Sequence, residues 1–349
     1  MSVWPLRPEL AGLQAYEPEP PLGDAALDAN ENPLAPPEAW LERAVIRLKA
    51  AALNRYPDPA CGALRAKLAA LHQVPAASLA FGNGSDELIS LLLTAFGGPG
   101  ASLLVPTPTF SMYKLCALGQ GWQVLEEPLG ADFQLTPAFV ERARAAKPRL
   151  IFLASPNNPT GNAFDPALIE ALMGIEGVTL VLDEAYVEFS GRSWIAQAPA
   201  KGSLIVLRTF SKAWGLAGLR LGWLCAAPAL VAELEKLRLP YNIDALAQAL
   251  AEEALDMAPA FLGRVPGLLA GRDQLRLALL ALPGTQVFAS DANFLLFRPA
   301  AAERLHQHLL AAGLRVRRFS VGALAGCLRL SVGTPAQNQR IEVALKGFA

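Results

Sequence analysis

The chain has 349 residues, and at roughly 150 residues per domain that length suits about two domains with a sizeable core. With 53% hydrophobic and 17% charged residues, it lacks the composition of a disordered chain. Its 30 Lys and Arg against 31 Asp and Glu leave a formal charge of -1, which excludes a bulk electrostatic footprint for nucleic acid.

The first 40 residues hold Pro5, Pro8, Pro18, Pro20, Pro21, Pro33, Pro36 and Pro37, a composition that predicts an extended arm with no core of its own. The start shows no basic-then-apolar run, so no secretory signal is expected and a cytosolic enzyme is the default. From about residue 60, short β-rich runs alternate with Ala/Leu-rich segments of helical spacing. SLAFG precedes DELISLLLTAF, ASLLVPT precedes SMYKLCALG, RLIFLAS precedes DPALIEALMG, and VTLVLDE and SLIVLRTF follow. These runs are continuously apolar, as strands covered on both faces are, so the pattern predicts an α/β fold built on a mostly parallel, doubly wound sheet. The uncharged stretch Leu88–Tyr113 is no membrane span, because Gly97, Gly98, Pro99 and Gly100, then Pro106 and Pro108, break any helix of that length.

After Pro240 the pattern turns to a long Ala/Leu/Arg helical region running to about Leu282. QVFASDANFLLFRP, LRVRRF and CLRLSVGT follow, which predicts a smaller α+β domain. The expected division is an arm and small-domain segment over 1–40, a large domain over 41–240 and a small C-terminal domain over 241–349. Cys61, Cys116, Cys225 and Cys327 are scattered and read as buried thiols. His306 and His308 stand two apart in a helical stretch, where they point away from each other, so no metal is expected.

The polar exceptions sit at strand ends, where ligands collect in open α/β sheets. Gly82-Asn83-Gly84-Ser85-Asp86 opens a helix whose free N–H groups suit an anion, although a glycine turn also serves as a plain fold device. Ser155-Pro156-Asn157-Asn158-Pro159-Thr160-Gly161 is a rigid turn that presents amides, or a structural turn only. Asp183 closes an apolar strand, with Tyr186 three residues on; it either meets a cation or caps the next helix. Thr209-Phe210-Ser211-Lys212 and the Arg220 that follows supply hydroxyls, an amine and a guanidinium suited to phosphate, while most lysines are merely solvated. Together these are the parts needed to hold pyridoxal 5'-phosphate.

TFSKAWGLAGLRLG resembles the pyridoxal-phosphate lysine signature of class II aminotransferases, and GNGSDE, SPNNPTG and LDEAY stand in that family's order. The similarity runs from NENP at Asn30 to RLSVGT near the end. Within the family, NRYPD at Asn54, PTPTFSMY, PYNIDALAQ at Pro240, DANF at Asp291 and GCLRLSVGT at Gly326 are most similar to the branch that moves an amino group between L-histidinol phosphate and 2-oxoglutarate in histidine biosynthesis. The resemblance implies the aspartate aminotransferase-like fold and a homodimer. It also keeps two neighbours in view, a threonine-phosphate decarboxylase of the same fold and an aminotransferase for aromatic amino acids. A cofactor-sensing transcription regulator is disfavoured, since the Pro-rich start leaves no room for a DNA-binding module.

The resemblance further implies roles for individual residues. Lys212 is the amine that bonds the cofactor and carries the proton, Asp183 pairs with the ring nitrogen, and Asn157 and Tyr186 donate to the ring's phenolic oxygen. The phosphate rests on the turn at Gly84, the backbone of Ser85 and Asp86, the hydroxyls of Thr209 and Ser211, and Arg220. Phe110, where family members often carry Tyr, lies on the ring face. Tyr56 is lent by a neighbouring subunit. Arg329 grips the anionic end of each substrate, Arg317 (or the adjacent Arg318) adds a phosphate contact, and Tyr16 reaches the partner's pocket. The family's usual NENP-x-G is Asn30-Glu31-Asn32-Pro33-Leu34-Ala35 in this chain.

Overall fold

The computed structural model describes residues 25–348 together with Arg7, Leu10 and Leu13. Its strands in chain order are β1 (Ala25–Ala26), β2 (Leu79–Asn83), β3 (Ser102–Thr107), β4 (Gln123–Pro128), β5 (Leu150–Ala154), β6 (Thr179–Asp183) and β7 (Leu204–Thr209). They continue with β8 (Leu221–Cys225), β9 (Gln286–Val287), β10 (Phe294–Arg298), β11 (Leu314–Arg315), β12 (Arg317–Phe319) and β13 (Cys327–Ser331).

Seven of them build the large sheet in the order β2-β8-β7-β6-β5-β3-β4. All neighbours from β7 to β4 run parallel, while β8 runs antiparallel to both β7 and β2. The link from β7 to β8 explains the exception: Phe210–Arg220 holds a single 3-10 turn at Ala217–Leu219, too little for a crossover of about a dozen residues or more. Side chains alternate strictly between the two faces. Ile151, Leu153, Leu180, Leu182, Leu204 and Val206 enter one apolar cluster, and Leu150, Phe152, Val181, Ile205 and Leu207 enter the other. Both faces are therefore covered, as the continuous apolar runs require.

The first cluster does not stop at Pro240. Helix Ala245–Asp256, capped by Asp244 accepting from the N–H groups of Leu246 and Ala247 at 2.9 and 2.8 Å, adds Ala247, Leu250, Ala251 and Ala254, and Phe261 lies beyond it. The core of the large unit thus passes the boundary expected at residue 240. A second sheet, antiparallel and ordered β12-β13-β10-β9, forms the smaller unit. Strand β1 pairs in parallel with β11, and Ala25 and Leu27 share an apolar cluster with Leu295, Phe297, Leu328 and Leu330. Residues just before the NENP segment therefore pack with the C-terminal end of the chain.

The four cysteines are free; Cys61, Cys225 and Cys327 are buried and Cys116 half-buried. Among the described residues, no helix is long and apolar enough to cross a membrane and no group of three or more side chains could hold a metal ion.

Candidate active site

Ala154, Asp183 and Thr209 end β5, β6 and β7, and all three line one cavity of about 700 Å³. It opens at the carboxyl edge of the parallel strands, and Arg317 and Arg329 from the smaller sheet complete its wall.

One corner is built to receive an anion. Gly84 starts helix Gly84–Phe96 with φ of 75°, so the N–H groups of Ser85 and Asp86 lie in its unpaired first turn. A Cβ on Gly84 would stand 2.8 Å from an Arg220 guanidinium nitrogen, and a Cβ on Gly222 would stand 2.5 Å from the Ser85 backbone nitrogen. Two glycines thus leave the space in which helix, strand and guanidinium converge. Thr209 Oγ1 donates to Ser211 Oγ at 2.9 Å and accepts from the Ser211 N–H at 3.1 Å. Arg220 lies 3.5 Å from the Asp86 carboxylate, with both side chains about half exposed. The sequence-derived residues Gly84, Ser85, Asp86, Thr209, Ser211 and Arg220 all line the cavity. The donor set, two backbone N–H groups at a helix start, two hydroxyls at the end of β7 and one guanidinium, fits a phosphate monoester.

At the floor, Asp183 is buried. Its Oδ2 accepts from the Tyr113 hydroxyl at 2.7 Å and its Oδ1 from the Ala185 N–H at 3.0 Å. Burial pushes its carboxyl up to about 6, against the pull of those two donors, with Asp86 and Glu184 adding to the rise. The Tyr113 phenol, wholly enclosed beside that carboxylate, is pushed well above its ordinary value and stays a neutral donor. Lys212 reaches over the same floor: its Nζ donates to Ala29 O at 3.2 Å and lies 5.7 Å from the centre of the Tyr186 ring. The Tyr186 hydroxyl accepts from Asn30 Nδ2 at 3.0 Å. Phe110 lines the wall, edge to face with Tyr113 at 5.4 Å. Beneath, Arg208 bridges Glu184 at 2.9 Å and Glu188 at 3.1 Å, tying the end of β7 to the segment after β6. Burial still raises both of those glutamates.

The opposite wall is arginine-rich. Arg315, Arg317 and Arg329 all line the cavity. Arg329 donates to Asn158 Oδ1 and to the Asp28 carbonyl, and its guanidinium lies 5.4 Å from the Phe294 ring centre. Arg315 pairs with Asp28 at 2.9 Å. Alternation along β12 separates the two adjacent candidates, since Arg317 lines the cavity while Arg318 pairs with Glu303 outside it.

Asn157 requires a correction. It is fully buried, its Nδ2 donates to Pro108 O at 3.0 Å and to Thr160 Oγ1 at 2.8 Å, and its Oδ1 accepts from Thr109 at 2.7 Å. The turn consumes its amide, and the next residue, Asn158, is the one that lines the cavity. Two adjacent asparagines in one turn give a sequence no means of telling which faces inward. Tyr56 is absent from this cavity too; it is 81% exposed and stacks on Tyr241 at 4.5 Å. Tyr16 lies outside the described residues. Tyr113, Asn30, Asn158 and Arg315 are cavity residues that sequence reasoning did not assign. Tyr113 carried a weak signal, one helical turn after Phe110, but its partner Asp183 is 70 positions away.

Residues 25–345 match the family described as aminotransferase class I and II. The chain is 41% identical over 360 residues to histidinol-phosphate aminotransferase 2 of Nitrosococcus oceani, covering 99% of this chain and 97% of that protein. It is also 41% identical over 347 residues to histidinol-phosphate aminotransferase of Chromobacterium violaceum, covering 98% and 97%. In fold it resembles histidinol-phosphate aminotransferase of Sinorhizobium meliloti in complex with pyridoxal-5'-phosphate, with a TM-score of 0.89, 23% identity and coverage of 100% and 99%. It resembles L-threonine-O-3-phosphate decarboxylase of Porphyromonas gingivalis as well, with a TM-score of 0.81, 25% identity and coverage of 93% and 98%. Since the family match spans nearly the whole of the described chain, the chain belongs to the class I and II aminotransferase family.

Proposed function

We propose that this enzyme uses pyridoxal 5'-phosphate to move an amino group between L-histidinol phosphate and 2-oxoglutarate, giving imidazole acetol phosphate and L-glutamate, a reversible step of histidine biosynthesis. The carrying observation is that Lys212 and Asp183 share their cavity with two arginines of the smaller sheet, Arg317 and Arg329, besides the glycine turn and Arg220. The turn with Arg220 suits the cofactor phosphate. The arginine pair suits a substrate phosphate in one half-reaction and a carboxylate in the next, since a planar guanidinium accepts either. Identity of about 40% over nearly the whole length to relatives named for this activity supports the same reading.

When bound, the cofactor supplies an electron-withdrawing ring that accepts charge from Cα of the substrate. Gly84 and Gly222 give room for its phosphate on the Ser85 and Asp86 N–H groups, the Thr209 and Ser211 hydroxyls and Arg220. Asp183 meets the ring nitrogen as an anion and holds a proton there. Tyr186 would donate to the phenolic oxygen, since its own oxygen already accepts from Asn30, and Asn158, in place of Asn157, would be a second donor there. Phe110 covers a ring face. Lys212 would be the base that takes the proton from the substrate's Cα and the acid that delivers it to the cofactor's aldehyde carbon, with the reverse transfer in the other half-reaction. Arg329 and Arg317 hold the substrate's far end.

A homodimer belongs to this reading. Tyr56 stands exposed against Tyr241, and Ile46, Leu53 and Leu239 are each at least two-thirds exposed, apolar surface suited to a second copy of the chain. Tyr56 and Tyr16 would then serve the partner's cavity. Sedimentation at working concentration checks this, and a monomer overturns it. A cytosolic setting and a division into arm, large unit and small unit, with the large unit running past residue 240 to about Phe261, are parts of the same proposal.

A half-reaction screen tests the activity: holoenzyme is mixed with single amino donors while its visible absorbance is followed. Histidinol phosphate is expected to bleach it fastest and glutamate to follow. Release of carbon dioxide from threonine phosphate without any 2-oxo acid would overturn the reading in favour of a decarboxylase, which the likeness to the Porphyromonas gingivalis enzyme keeps as the second candidate.

A further inference from the structure

We propose that Tyr113 is a positioning residue for the cofactor ring: its hydroxyl holds the Asp183 carboxylate in place while its ring packs at right angles against that of Phe110. This rests on the assignment above of Asp183 to the ring nitrogen and Phe110 to the ring face. Those two residues come from different segments, and Tyr113 touches both. Its Oη donates to Asp183 Oδ2 at 2.7 Å, and its ring meets that of Phe110 at 5.4 Å and 83°. On its far side it stacks on Phe152 of β5 at 5.0 Å and 21°. The side chain is fully enclosed, so packing leaves the phenol one orientation.

Asp183 depends on that phenol for a physical reason. Apart from Tyr113, the donor to its carboxylate is the Ala185 N–H at 3.0 Å. Asp86, from helix Gly84–Phe96 and paired with Arg220, and Glu184, paired with Arg208, both add to the rise of its carboxyl. Tyr186 and Lys212 line the same cavity. A carboxylate that is shut off from water depends on its hydrogen bonds to stay charged. Without the phenol O–H it keeps one donor, takes a proton more readily, and swings more freely about its own side-chain bonds. A neutral, mobile acid cannot hold a proton on the ring nitrogen.

Tyr113→Phe keeps both ring contacts and deletes only the hydroxyl. In apoenzyme carrying 13C-labelled aspartate, with Asp183→Asn to identify the signal, the Asp183 midpoint is expected to rise by about one pH unit, as loss of one hydrogen bond to a charged group implies. Affinity for pyridoxal phosphate, titrated by fluorescence quenching, is expected to fall about tenfold in Tyr113→Phe and no further when that change is added to Asp183→Asn. An unmoved midpoint, or a second loss in the double variant, overturns the proposal, because a residue that merely fills space acts without Asp183. If Tyr113→Phe does not fold, a fluorinated tyrosine at position 113 donates more strongly and is expected to lower the midpoint; a midpoint that stays or rises overturns the proposal. Wild-type protein that takes up no pyridoxal phosphate overturns the functional reading instead, whereas normal uptake with an unmoved midpoint overturns the role of Tyr113 alone.

Discussion

Arg317 and Arg329 are register partners across the antiparallel strands β12 and β13, and both reach the same cavity wall. Two like charges held side by side raise the local positive potential, a cost that an anionic substrate offsets on binding. Arg329→Ala is expected to weaken histidinol phosphate and glutamate together, each by about 10- to 100-fold, the range for losing a charge-assisted contact. Arg317→Ala should act mainly on the phosphate substrate, whose dianion can engage both arginines. Half-reaction rates against substrate concentration separate the two; loss confined to one substrate in Arg329→Ala would remove the shared-anion idea.

Replacing Lys212 with Ala is expected to stop turnover and abolish the bound cofactor's visible absorbance. The fold should persist, because the lysine's one described hydrogen bond is to the Ala29 carbonyl at 3.2 Å. Circular dichroism and melting should change by an amount corresponding to about 1 kcal/mol or less. Turnover surviving in this variant would refute the assignment.

Gly222→Ala places a methyl group 2.5 Å from the Ser85 backbone nitrogen and 2.6 Å from the Gly84 carbonyl carbon. Backbone cannot swing aside as a side chain can, so the helix start must move. A stability loss of about 1–3 kcal/mol is expected, as for other overpacked sites, with a larger proportional loss of cofactor phosphate affinity. Denaturant melts and cofactor titration measure the two separately. Equal stability and unchanged affinity would show that the corner tolerates the methyl group.

Asp183 makes apoenzyme stability depend on pH in a known direction. Its carboxyl lies at about 6 in the folded chain against 3.8 ordinarily, so between those values the folded state binds more protons than the unfolded one. Stability from this group is therefore present at low pH and lost as pH rises from about 4 to about 6, by roughly 2–3 kcal/mol in all. His72 works the opposite way, since burial and Arg208 push it down to about 4. Comparing wild type with Asp183→Asn across pH cancels that contribution. The variant is expected to be the more stable apoprotein at pH 8, with the advantage vanishing near pH 4. A difference independent of pH would contradict a buried, raised Asp183.

The apolar runs ending at Ala154, Asp183 and Thr209 were legible because strands covered on both faces have no polar residues to hide, which marks the first polar residue as a strand end. Strand β4 was harder to read. It lies at the sheet edge, and Glu126 and Glu127 break its apolar pattern. Strand β8 follows a turn too short for a crossover, and no local pattern distinguishes antiparallel from parallel pairing.

Short motifs along the chain, read together with the family resemblance, pointed to the lysine, the acid, the phosphate turn and the arginines, since each motif depends on neighbours a few residues away. Only the tertiary structure decided which of Asn157 and Asn158, and which of Arg317 and Arg318, faces the cavity. Facing follows from strand register and from hydrogen bonds inside a turn. The pairing of Tyr113 with Asp183 and the link from Asn30 to Tyr186 join segments far apart in sequence, and contacts of that kind form only when the sheets and helices have packed.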